Sequence, residues 1–426
     1  MRVMGSSILS AASAPSSRGA SSATRATRAL VAGSLLALTA ACATGGGGGP
    51  IVGPVGPVDA GVPQDQPRRD NRGGLTPPFM ADRELVRVGL LLPFSTRPEE
   101  ATALYRAAEL ALFERGDRNM LLIPRDSGAG EAEAASAATG LVADGVDIII
   151  GPVLREGVLG ASRVAQDRRI PMIGLSSDRS VADDGVYLLS FQLEDEVARI
   201  IEYAASRGIR SIAVMGPENE YGRRVAQALR AEGARWGVAI VAETLYTRDV
   251  AQAAPAVARL RSSLGGAPVQ AVMIADSGSV LRAVTAALAR EGLAGPNVRL
   301  LGTSAWAGSE TSAEAPLIGG WYVAPDPSLR AAFEQSYRSA YGDDPIRLAS
   351  LAYDAVALAA LLSRDEGPDG LSRQDIERQE GFLGSDGVFR FRTNGSIERG
   401  WAVMEVRSSG AAVVAPAPRA FDRPVS

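Results

Sequence analysis

Apolar residues fall into two alternating rhythms along this chain. Short unbroken apolar runs closed by glycine or proline alternate with longer stretches whose apolar positions recur three and four residues apart. The clearest case is Val146–Ser180. Ile148, Ile149 and Ile150 form a run closed by Gly151-Pro152, which predicts a strand buried on both faces. Val158, Ala161, Val164 and Ala165 then keep a helical spacing as far as Arg168-Arg169. A second short strand over 171–175 gives way to the polar loop Ser176–Ser180. Strand, helix, strand is a βαβ unit with a right-handed crossover. Both loops then lie at the carboxyl ends of their strands, the edge where open α/β sheets take ligands.

The same alternation extends in both directions. A strand over 85–94 leads to a helix opened by Pro98-Glu99-Glu100, with a buried stripe at Leu104, Ala108, Ala111 and Leu112. A strand over 119–124 ends at Asp126, and another runs from Val186 to Phe191. From Glu194 the rhythm restarts, with strands over 211–217, 238–246, 269–276 and 297–303 and helices between them. Two successive runs of βα units predict an α/β fold of two parallel-sheet lobes, because one core rarely grows to that size. Near Gly320–Pro327 the chain crosses back, and helices over 329–341 and 347–363 follow. The end, 387–406, reads as a hairpin with a tight turn at Asn394-Gly395. This organisation places 84–191 and 325–380 in lobe 1, 192–324 and 381–406 in lobe 2, and a disordered Ser/Gly/Ala/Pro tail over 407–426.

The amino-terminal part obeys neither rhythm. Residues 1–29 are rich in Ser, Ala and Thr, with arginines and no acid. Leu30–Ala41 is an apolar stretch too short to span a bilayer. It ends at Cys42, the one cysteine of the chain. Residues 1–41 read as a signal peptide, and the segment resembles a bacterial lipoprotein signal, which implies that Cys42 is the lipidation site. The Gly/Pro-rich stretch 43–83 reads as a tether, since it holds no apolar period to bury. Residue 43 is alanine rather than aspartate, so the expected address is the periplasmic side of the outer membrane.

Composition narrows the chemistry. The chain of 426 residues has a net charge of −4, and no basic surface calls for nucleic acid. It contains no histidine, and all 44 basic residues are arginine. Histidine-based nucleophile pairs, histidine metal ligands, lysine Schiff bases and lysine phosphate loops are therefore excluded. Neither Gly174-Leu175-Ser176-Ser177-Asp178 nor Gly302-Thr303-Ser304-Ala305-Trp306 has the second glycine of a nucleophile elbow. Gly128-Ala129-Gly130 is half of a dinucleotide fingerprint, but Glu133 holds the third glycine position and Glu131 would repel a pyrophosphate. No enzyme, cofactor or metal is expected.

Several segments resemble known families. IIIGPV (148–153), IPMIGLSS (170–177), YGRR (221–224), SLAYDAVALAA (350–360) and the closing GVFRF…NGSIERG are similar to type I periplasmic binding proteins of the Leu/Ile/Val-receptor class. VGLLLPFS (88–95), AAELALFERGD (107–117) and SSDRSVADDGVYLLSF (176–191) further resemble the penicillin-binding-protein activator lipoproteins. The resemblance implies two lobes of the Venus-flytrap kind joined by several crossings. It also implies a partner, a peptidoglycan synthase (a penicillin-binding protein), in place of a transporter. The best-studied activators also carry an N-terminal helical-repeat domain, where this chain has its Gly/Pro tether.

By position, the resemblance makes Ser176, Ser177, Asp178 and Tyr221 the residues to hold a small ligand in the interlobe cleft. Asp126, Asp276 and Trp306 end strands of the two lobes and join them as candidates. Arg97 stands in the first loop, where small residues would let a zwitterion approach the backbone, and this argues against a plain branched-chain amino acid. The alternative function is a solute-binding receptor of an ABC transporter, for amino acids or a related small molecule.

Overall fold

The computed structural model describes residues 68–69, 75–77, 80, 84–307 and 314–421. The expected signal peptide, Cys42 and nearly all of the tether lie outside the described residues. A short antiparallel pair, β1 (Arg68–Arg69) and β2 (Leu75–Thr76), precedes the main body.

The first lobe is built from β3 (Val86–Leu92), α1 (Pro98–Arg115), β4 (Met120–Asp126), α2 (Glu131–Ala143), β5 (Ile148–Ile150), α3 (Arg155–Asp167), β6 (Met172–Gly174) and β7 (Val186–Leu188). Its sheet runs β4-β3-β5-β6-β7, and every neighbouring pair is parallel. Burial on both faces explains the unbroken apolar runs. Val88, Leu90, Ile148 and Ile150 pack with Leu104 and Ala108 of α1. Leu91 and Ile149 point the other way, against Ala134 and Leu141 of α2 and Val158 of α3.

The second lobe repeats the design with α4 (Leu193–Ser206), β8 (Ser211–Pro217), α5 (Glu220–Trp236), β9 (Ala239–Tyr246), α6 (Ala253–Leu264), β10 (Ala271–Ile274), α7 (Gly278–Arg290), β11 (Arg299–Gly302) and β12 (Trp321–Ala324). One face of its sheet meets α6 and α7. The other meets α4 and α5. The chain then returns to the first lobe as α8 (Pro327–Tyr341), α9 (Ala349–Glu366) and the short α10 (Arg373–Ile376). Leu351, Ala355 and Val356 of α9 complete the core around β3 and α1.

The chain from Gly381 onward departs from expectation in two ways. Strands β13 (Phe382–Gly384), β14 (Gly387–Phe391) and β15 (Ile397–Arg399) form an antiparallel sheet of their own. Phe382, Phe389, Phe391 and Ile397 bury in the first lobe's core, so 381–399 packs with lobe 1 and not with lobe 2. The cause lies at the predicted turn. Gly395 has φ +75°, and its carbonyl accepts a hydrogen bond of 2.9 Å from Leu188 N–H, docking the hairpin beside β7. A Cβ there would fall 2.0 Å from the Val186 carbonyl oxygen, which only glycine avoids.

The second departure concerns the tail. Beyond Arg399 the chain crosses to lobe 2 as β16 (Ala402–Arg407), antiparallel to β12. It continues as β17 (Gly410–Ala415), paired to β16, so the segment expected to be disordered from 407 is ordered through residue 421. Its Ser/Gly/Ala composition predicts coil. An edge strand nevertheless needs little more than backbone pairing, and here Val414 and Ala415 also pack on the core. Three crossings therefore join the lobes: Phe191–Leu193, Ala324–Pro327 and Arg399–Ala402.

Candidate functional site between the lobes

The carboxyl ends of β3, β5 and β6 present their loops to the second lobe, across a cleft with a volume of about 620 Å³. Gly151 lets β5 end there. It has φ +92°, and a Cβ would sit 2.0 Å from the Leu91 carbonyl oxygen. The chain then turns into α3, which places Arg155 at the lip.

Ser176, Ser177, Asp178 and Tyr221 all line this cleft, as their positions predict. Ser176 is buried, and its Oγ accepts from Asp178 N–H at 3.2 Å. Asp178 accepts from Ser180 N–H at 2.9 Å and pairs with Arg155 Nε at 3.0 Å. Burial pushes the Asp178 carboxyl up, but the hydrogen bonds from Ser180 and the charge of Arg155 outweigh it and hold the group below its ordinary value. Tyr221 enters from the second lobe, and its hydroxyl lies 2.6 Å from Thr303 Oγ1. Burial is the main cause of its phenol being pushed up to about 12.

The other three candidates serve the scaffold. Asp126 accepts from Ser95 N–H at 3.2 Å and Gly128 N–H at 3.1 Å, so it anchors the loops that follow β3 and β4. Asp276 is buried, taking hydrogen bonds from the Tyr246 hydroxyl at 2.8 Å and Arg248 Nε at 2.9 Å. Trp306 is fully buried, and its Nε1 donates to the Ile274 carbonyl at 3.2 Å. Its ring lies against Gly302, where a Cβ would come within 2.3 Å of it.

Two cleft residues that sequence spacing did not reveal are Glu196 and Arg347. Glu196, in the first turn of α4, is buried and accepts from Ser304 N–H at 2.8 Å and Ser304 Oγ–H at 2.7 Å. Arg347 comes from the first lobe, just before α9. It donates to Ser304 Oγ at 2.6 Å and lies 3.4 Å from Glu196. Burial raises the Glu196 carboxyl, opposed by Arg347 and the Ser304 hydrogen bonds. Arg347 also stands over the Phe191 ring at 4.6 Å. Beside the crossings, Arg179 of lobe 1 reaches Asp195 of α4 at 2.8 Å. Both links run between the lobes. Among the described residues no cluster of three or more Cys, Asp or Glu is placed to hold a metal ion.

Two three-layer lobes with a cleft between them and three crossings define a periplasmic binding protein of type I. Residues 85–411 match the periplasmic binding protein family, and the chain belongs to it. Its place is accordingly in the periplasm or envelope, and no described helix is long and apolar enough to cross a membrane. Among known proteins it is similar to the penicillin-binding protein activator LpoA of Vibrio cholerae. The two are 27% identical over 167 residues, which are 38% of this chain and 27% of that protein's length. In structure it resembles a putative branched-chain amino acid ABC transporter protein from Rhodospirillum rubrum, at TM-score 0.67 and 20% identity, covering 78% of this chain and all of that one. It also resembles an ABC transporter solute-binding protein of Rhodopseudomonas palustris in complex with benzoate. There the TM-score is 0.56 at 19% identity, covering 80% of this chain and 98% of the other. At these identities the structures share a fold.

Proposed function

We propose that this protein is a non-enzymatic envelope lipoprotein of the penicillin-binding protein activator kind. It is anchored through a lipid on Cys42, most naturally in the outer membrane, and acts by contact with a peptidoglycan synthase. The observation that carries this reading is the state of the cleft. Arg347, Glu196 and Ser304 tie the lobes together, Arg155 occupies Asp178, and Thr303 occupies the Tyr221 hydroxyl. The groups that would grip an amino acid's charges are thus engaged by the chain itself. The likeness to LpoA over 167 residues points the same way.

The test is a pull-down of the full chain from its native envelope, followed by a polymerisation assay. Recovery of a penicillin-binding protein whose glycan synthesis rises on adding this protein is the expected result. Mass spectrometry of the mature amino terminus should find lipid on Cys42.

The second reading, a solute receptor of an ABC transporter, draws on the cleft's volume of about 620 Å³ and on Ser176, Ser177 and Tyr221 along its wall. A ligand at a hundred times its Kd would add about 2.7 kcal/mol to stability. A rise in melting temperature with leucine, isoleucine or valine that disappears in Tyr221→Ala would establish that reading and displace the first.

A further inference from the structure

A second cavity, of about 640 Å³, lies at the crossings. It is walled by α4, the end of α5, the β14–β15 hairpin and the segment 416–421. Most arginines on its wall are engaged. Arg179 reaches Asp195, Arg199 donates to Glu202 at 2.9 Å and to the Trp401 carbonyl at 3.1 Å, and Arg390 and Arg392 share Glu398.

Arg399 differs. It ends β15, is 5% exposed, and none of its three guanidinium nitrogens has a hydrogen-bond partner. Trp401, two residues on and 1% exposed, lines the same cavity, and its Nε1 also donates to nothing. The Arg399 guanidinium lies over Phe191 at 5.1 Å and Phe389 at 5.5 Å, so ring faces hold it in place without satisfying its N–H groups. Burial draws its pKa down, while Asp386, Asp354 and Asp195 support the charge from a distance without reaching it. A buried donor without an acceptor is destabilising, and a charged one more so. Two such donors, on residues that line one cavity, call for an acceptor from outside the chain.

We propose that this cavity binds a small carboxylate that also carries a hydrogen-bond donor, such as an acylated amino acid or a short peptide's carboxyl terminus. A planar carboxylate can take the guanidinium fork on one oxygen pair and leave a lone pair for the indole N–H. Glu194, Asp195 and Glu398 share the wall and would oppose a dianion such as phosphate more strongly than a monoanion. Asp195 Oδ2 has no partner, and it can accept from the ligand's amide. The site is distinct from the cleft, which contains neither Arg399 nor Trp401.

Isothermal titration of the full chain with N-acetylalanine, acetate and inorganic phosphate tests the assignment. N-acetylalanine should bind saturably, and more tightly than acetate or phosphate. Trp401→Phe removes the N–H and keeps a ring, and Arg399→Lys keeps the charge and removes the fork. Each should weaken binding by about tenfold or more, while Tyr221→Ala leaves it unchanged. Circular dichroism and melting of each variant check the fold, and if Arg399→Lys unfolds, Trp401→Phe decides alone. No saturable binding at millimolar N-acetylalanine would overturn the proposal. So would tighter binding of phosphate, acetate binding as tightly as N-acetylalanine, or a loss confined to Tyr221→Ala.

Discussion

The interlobe cleft and the cavity at the crossings have nearly equal volumes, about 620 and 640 Å³, and arginines line both. They differ in where those arginines find their counter-charges. In the cleft, Arg155, Arg224 and Arg347 each meet a carboxylate of the chain, at 3.0, 2.8 and 3.4 Å. At the crossings, Arg399 and the Trp401 indole meet none. A cavity of a given size and charge is therefore a poor guide to binding, because internal pairing decides whether a ligand has anything to gain. At the hinge, by contrast, Arg399 and Trp401 keep buried donors that no group of the chain satisfies.

The strongest way to break the comparison is to cut the tie across the cleft. Glu196→Ala would leave Ser304 N–H buried without an acceptor and Arg347 without its acid. A loss of about 3 kcal/mol is expected from the midpoint of urea unfolding. Glu196→Gln retains an acceptor and should lose about half of that. If Glu196→Ala lost under about 1 kcal/mol, the tie would be slack and the cleft free to open as in a solute receptor.

A second prediction sharpens the contrast through pH. Burial lifts the Asp195 carboxyl from 3.8 to about 6, against the pull of Arg179 and Arg392. The folded protein then holds a proton that the unfolded chain releases, so this group's contribution is present below pH 3.8 and is lost as pH rises through about 6. Asp195→Asn should flatten the fall in stability across that window by on the order of 1–2 kcal/mol. Denaturant titrations at several pH values would measure it. An unchanged slope would mean that Asp195 is solvated well enough to titrate as an ordinary carboxyl.

Much of this architecture is legible in the chain. Ile148–Ile150 and the apolar runs like it mark buried parallel strands, and the loops after them fall at one edge of each sheet, so Ser176–Asp178 can be placed at a cleft. Tyr221 is placed opposite only by the family resemblance. Spacing does not say which way a side chain turns once a strand has ended. Trp306 follows β11 as Ser176 follows β6, yet it folds back beneath Gly302 while Ser176 stays on the cleft wall. Glu196 and Arg347 are 151 residues apart and meet only because the chain recrosses, so no local pattern marks them. Arg399 sits in Ile397-Glu398-Arg399, which reads as an ordinary edge strand. Its burial comes from the hairpin docking beside β7.

A smaller effect separates the two walls of the cleft. Tyr221→Phe removes the 2.6 Å hydrogen bond to Thr303 and little else, because the ring still packs against the second lobe's core. About 1 kcal/mol should be lost. A change near zero would mean that Thr303 readily exchanges the phenol for water, leaving the Tyr221 hydroxyl available to a solute.

The smallest expected change is the most discriminating. Arg155 and Asp178 pair at 3.0 Å, but their side chains are 45% and 40% exposed. Such a pair is screened by solvent, so Arg155→Ala should shift stability by less than about 0.5 kcal/mol. Asp178 keeps its hydrogen bonds from Ser180 and therefore stays ionised at neutral pH. The variant thus makes the cleft lip one charge more negative, with Arg224 still beside Asp178, without disturbing the fold. Any carboxylate binding in the cleft would be repelled, and its affinity should fall severalfold. A carboxylate bound by Arg399 and Trp401 meets neither residue, since neither lines that cavity. N-acetylalanine should therefore bind Arg155→Ala and the unaltered protein equally. A weakened titration would move the ligand into the cleft and make the orphan donors at the hinge a matter of internal water.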